Sequence, residues 1–166
     1  MQKIIGSIIV ISVCTALGFE KSRELQLHLK ELEELKRLFM IIHSELKVTK
    51  ATLSEIFLKV SKKTETPYKE WLKNLAKQLE ICGAGTFSEL WKNSIQTYLG
   101  KTTLRKDEIY ELEQVGLGIQ YIETLEFYLN QLDFSIQNTR EELKTKKKLY
   151  RSMGFMCGIF LVIVLL

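Results

Sequence analysis

Apolar residues recur at helical spacing along most of the chain, and no stretch carries a strand signal. Leu25, Leu29, Leu32, Leu35, Phe39, Ile42 and Leu46 follow one another at steps of three and four, while Lys30, Glu33, Glu34, Lys36 and Arg37 take the other faces. This pattern predicts one long amphipathic helix. Leu27, Leu38, Met40 and Ile41 widen its apolar stripe beyond a coiled-coil seam, which points to burial within a bundle. A second long stripe, Ile122, Leu125, Leu129, Leu132, Ile136 and Leu143, predicts its counterpart toward the other end.

Between the two stripes the punctuation marks out shorter helices. Thr52 and Glu55 have capping-box spacing, predicting a helix from Leu53 to Lys62 with Ile56, Phe57 and Val60 inward. Thr66 as N-cap, Pro67 at the first helical position and Gly83 beyond the far end bracket a helix whose buried face is Trp71, Leu72, Leu75, Leu79 and Ile81. Thr86 and Glu89 open the next, carrying Phe87, Leu90, Trp91, Ile95, Tyr98 and Leu99 up to Gly100. Thr103 is placed to cap a helix through Leu104, Ile109 and Leu112. Gly116 and Gly118 then either interrupt that helix or let a neighbour approach closely.

The two ends are different in kind. Met153 to Leu166 is an unbroken run of small or apolar residues that reaches roughly 21 Å as a helix, short of the roughly 30 Å hydrocarbon core of a bilayer. It holds no charge, and Lys144, Lys146, Lys147, Lys148, Tyr150 and Arg151 stand at its flank, as positive-inside and aromatic-belt behaviour requires. We read it as a short membrane anchor. Ile4 to Phe19 is a second uncharged run. A cleaved signal peptide competes with a retained helix here, but only Lys3 precedes the apolar part and no clear Ala-x-Ala site follows it. Lipidation at Cys14 meets Val13 where a small residue is needed. The small residues Gly6, Ser7, Ala16 and Gly18 either admit a neighbouring helix or face lipid. Lys21, Arg23 and Lys30 after the first run and the basic cluster before the second make both inner flanks cytoplasmic. The expected organisation is an anchor at 1–19, a cytoplasmic helical bundle at 20–152 and an anchor at 153–166.

Composition changes this picture little. A length of 166 residues suits one domain with a buried core. The formal charge of +4 is too mild, and its basic residues too interleaved with Glu, for a nucleic-acid signature. The dense cluster that includes Lys146, Lys147, Lys148 and Arg151 is better matched to anionic lipid. Glu20 and Arg23, at the other membrane edge, are spaced to pair with each other or with a partner, and the solvated helix pair is the plainer reading. No Gly-rich phosphate loop with Lys and Ser or Thr is present. His28 and His43 lie too far apart on one predicted helix to share a metal, and Cys14, Cys82 and Cys157 have no metal spacing. Trp71 and Trp91 read as core residues. Nothing resembles an assembled active site, so neither cofactor nor small-molecule substrate is expected.

The tail from Leu149 to Leu166, with a basic helix leading to Met153-Gly154, Gly158 and an aliphatic stop, resembles the carboxyl end of the stage III sporulation protein AB family. Leu17-Gly18-Phe19-Glu20, Arg23, Leu25, Glu45-Leu46, Leu53, Glu55, Trp91 and Leu117-Gly118 continue the likeness in order over nearly the whole length. Departures fall at Ala51-Thr52, where the family has Thr-Pro, at Val48 in place of an aromatic, and around Tyr121, where an Asp is expected. The resemblance implies an all-α fold similar to the cytoplasmic domains of type II secretion platform proteins. It also implies a place in the channel-like assembly of the mother-cell membrane facing the forespore, with a cytoplasmic ATPase and other membrane proteins as partners. A self-associating coiled-coil membrane scaffold without ATPase contact is the competing reading.

Overall fold

The computed structural model describes the backbone of residues 2–49, 51–82 and 87–165, and the side chains of residues 20, 22–49, 51–81, 87–146 and 149. Six helices follow in order: α1 (Gln2–Val48), α2 (Leu53–Ser61), α3 (Tyr68–Cys82), α4 (Phe87–Leu99), α5 (Lys106–Val115) and α6 (Ile122–Leu165). Among the described residues there is no strand, and the chain is all-α as its periodicity predicts. The two anchor segments lie outside the residues whose side chains are described. Among the described residues, no helix is long and apolar enough to cross a membrane.

The chain divides into two compact units, residues 1–30 with 136–166, and residues 31–135. In the first, Leu25 and His28 of α1 and Ile136 and Thr139 of α6 are buried. Lys146 reaches Glu142 one turn earlier at 2.6 Å, an exposed-edge pair of the kind that adds a few tenths of a kcal/mol.

The second unit is built around aromatic side chains. Trp91 of α4 lies at its centre, with ring centroids 5.0 Å from Trp71, 5.7 Å from Phe87, 6.2 Å from Phe57 and 6.5 Å from Phe39. Phe39 in turn meets Tyr128 edge to face at 4.8 Å. Leu32, Leu35, Leu38, Phe39 and Ile42 turn inward from α1, and Leu125, Tyr128 and Leu132 from α6. The widened stripe of α1 is thereby divided. Leu38 is in the core, whereas Leu27 and Met40 are exposed, because a helix of this pitch can bury only one broad face.

Local signals hold where short-range hydrogen bonds decide them. The amide of Thr52 donates to Glu55 Oε2 at 3.0 Å and the amide of Glu55 to Thr52 Oγ1 at 3.4 Å, closing the predicted capping box. At α3 the start comes one residue later than the Thr66 and Pro67 spacing predicts, and the carbonyl of Pro67 accepts from the amide of Trp71 at 3.1 Å. Ile81, expected inside, is exposed. The Gly83 terminator and Thr86 cap lie outside the described residues.

Thr103 also needs correction. It does not cap α5: the amide of Arg105 donates to Glu108 Oε2 at 2.8 Å, and Arg105 holds the cap position. The Thr103 amide and hydroxyl both donate to Glu31 Oε2, each at 2.7 Å, so a carboxylate of α1 satisfies this turn. Long-range partners of this kind carry no local sequence signal.

The two late glycines serve close approach. After Leu112 the helix tightens: Gly116 donates to the carbonyl of Glu113, Leu117 to that of Gln114 and Gly118 to that of Val115. The carbonyl of Leu112 accepts instead from Trp91 Nε1 at 2.9 Å. A Cβ on Gly116 would stand 2.1 Å from the Trp91 ring, and one on Gly118 would stand 2.7 Å from Thr124 Oγ1.

Candidate interaction surface

Gly116 to Tyr121 form a run of tight turns that carries the chain from α5 into α6. Between these helices lies a groove of about 270 Å³, walled by Tyr110, Glu111 and Gln114 of α5 and by Phe127 and Gln131 of α6, with Tyr128 also lining it. It continues along α6 into a depression of about 430 Å³ lined by Glu111, Phe127, Asn130, Gln131 and Phe134.

This groove carries unusual side chains for a water-facing surface. Tyr110, Phe127 and Phe134 are 61, 66 and 67% exposed. A single exposed aromatic is ordinary, but three around one groove make an apolar cluster of the kind that marks contact sites. Phe127 and Phe134 stand seven positions apart, off the buried stripe of α6, and are two turns or about 10.5 Å from each other.

Glu111 is the acid of the groove. Burial pushes its carboxyl above the usual carboxylate range, and the charges of Asp107 and Glu108 push it further. It makes no hydrogen bond or ion pair with the described residues. On α6, Asp133 pairs with Lys36, and Glu126 with His43 at 3.2 Å and Lys47 at 3.9 Å.

Beneath the surface, Tyr128 is 1% exposed and its hydroxyl has no hydrogen-bond partner among the described residues. The hydroxyl of Tyr68, also buried, shares that condition. Burial first, then neighbouring acids, raise both phenols well above their ordinary range, which keeps them neutral.

The residues singled out by sequence lie elsewhere. Glu20 and Arg23 are both exposed, with no ion pair between them. Lys146 pairs with Glu142, and the side chains of Lys147, Lys148 and Arg151 lie outside the described residues. Among the described residues, no group of three or more His, Cys, Asp or Glu is arranged to hold a metal ion. Sequence reading passed over Tyr110, Phe127 and Phe134. The available signal was two phenylalanines on the polar face of α6, at a spacing that repeats every two turns.

An all-helical body with an aromatic-rimmed, acid-bearing groove defines a helical bundle protein. The stage III sporulation protein AB family model matches residues 3–166, and the chain belongs to that family, which gives it a role in sporulation. Stage III sporulation protein AB of Bacillus subtilis (strain 168) is 21% identical to it over 172 residues, an alignment covering all of both chains. No solved structure shows a significant match.

Proposed function

We propose that this chain is a non-enzymatic membrane component of the sporulation assembly between mother cell and forespore, whose helical body docks the assembly's cytoplasmic ATPase. The family match over residues 3–166 carries the reading. In this reading segments 1–19 and 153–166 anchor the chain, Glu20 and Arg23 mark one membrane edge, and Lys146, Lys147, Lys148 and Arg151 meet anionic headgroups at the other. The body between them stays in the cytoplasm and couples the ATPase to the membrane proteins of the assembly. The ATPase enters by analogy with the platform proteins of type II secretion.

Co-purification tests it. The full-length chain, extracted in detergent from sporulating cells, should bring down the ATPase. Recovery of the membrane partners without the ATPase would overturn the docking role. A stable elongated oligomer of the chain alone would favour the self-associating scaffold instead. Thiol labelling of cysteines placed in the body of the chain in intact cells should fail until the membrane is opened.

A further inference from the structure

We propose that the α5–α6 groove is the seat for a basic amphipathic helix of a protein partner, with the partner's apolar side chains against Tyr110, Phe127 and Phe134 and its lysine or arginine at Glu111. The inference stands apart from the ATPase reading, since it concerns the chemistry of the occupant and not its name.

Two independent observations select this occupant. The exposed phenylalanines lie along α6 at a two-turn interval, the repeat at which one helix face meets another. Both stretches of the groove are lined by Glu111, and no basic residue lines either. Glu111 sits beside Asp107 and Glu108, so a cation arriving there removes like-charge repulsion as well as forming a pair. Gln114, Asn130 and Gln131 supply the polar rim usual at such contacts.

A second copy of this chain fits less well. Its own amphipathic helices already turn their apolar faces into the core.

The test uses the full-length chain in detergent micelles and two synthetic helical peptides of about five turns, one of Leu and Lys and one of Leu and Glu, each with a photoreactive group. Protein-free micelles give the background, and adducts are mapped by mass spectrometry. The Lys peptide should cross-link to residues 106–115 and 122–135, and the Glu peptide should not. Phe127→Ser and Phe134→Ser should each weaken capture by about tenfold, and Glu111→Gln by about threefold. Glu111→Lys should transfer the preference to the Glu peptide. Because Phe127 and Phe134 are exposed, their variants should keep wild-type melting temperatures. Equal capture by all variants, or equal capture of the two peptides by the wild type, would overturn the proposal. So would dissociation of a wild-type oligomer by Phe127→Ser, which would assign the groove to a second copy.

Discussion

Gly116 lies so close to Trp91 that a methyl group at its Cα would sit 2.1 Å from Cδ1 of the indole. The same indole donates its N–H to the carbonyl of Leu112, four residues earlier on α5, at 2.9 Å. The ring is therefore held from two sides, by a hydrogen bond and by a missing side chain. The backbone at Gly116 is right-handed, with φ −59° and ψ −26°, so clearance alone demands glycine here.

Gly116→Ala should destabilise the protein by about 3 kcal/mol, the upper range for forcing extra volume into a packed core. Trp91 is fully buried in the aromatic core, where extra volume beside the ring strains the packing. Chemical denaturation of the full-length chain in detergent checks this, with Gly118→Ala beside it. The latter should cost less, because its nearest atom is the Thr124 hydroxyl at 2.7 Å, the end of a side chain that can rotate.

Ser94 links the two tryptophans. Its hydroxyl accepts from Trp71 Nε1 at 2.9 Å and donates to the carbonyl of Trp91 at 2.7 Å. All three residues are buried, so Ser94→Ala strands the Trp71 N–H away from water and should cost about 1–3 kcal/mol. In a Trp71→Phe background, where that donor is already gone, Ser94→Ala should cost less. A double-mutant cycle on melting midpoints measures that coupling.

Glu111 makes stability depend on pH in a stated direction. Its carboxyl is raised in the folded chain, chiefly by burial and then by Asp107 and Glu108. A raised carboxyl binds its proton more tightly when folded. Its favourable contribution is therefore complete below the unfolded carboxylate range and is lost as pH rises through the folded value. Glu111→Gln should melt higher than wild type near neutral pH, and the gap should close on acidification through the carboxylate range. Melting curves across that range would show a constant gap if Glu111 were unperturbed.

The helical class, the two long stripes, the Thr52 cap and the core placement of both tryptophans were legible from residue spacing. Each rests on neighbours within about one turn or on a periodicity that repeats, which a linear chain displays. Thr103 was misread because its partner, Glu31, is 72 residues away, and a hydroxyl before an apolar run looks like a cap. Ile81 was misread because its place in the helical repeat suggests burial, whereas the fold leaves it exposed at the end of α3. The groove was invisible for the converse reason. Phe127 and Phe134 read as apolar residues on an apolar-rich helix until the buried stripe had been assigned to other positions.

The order of residues by itself determined an all-helical chain, its helix boundaries to within a residue or two, and the family to which it belongs. Tertiary structure alone decided which apolar residues stay outside, why Gly116 has no side chain, and that Glu111 and an unsatisfied Tyr128 share one groove. The difference is physical. Helix formation and capping are governed by contacts a few residues apart, whereas burial and desolvation depend on which distant surfaces meet.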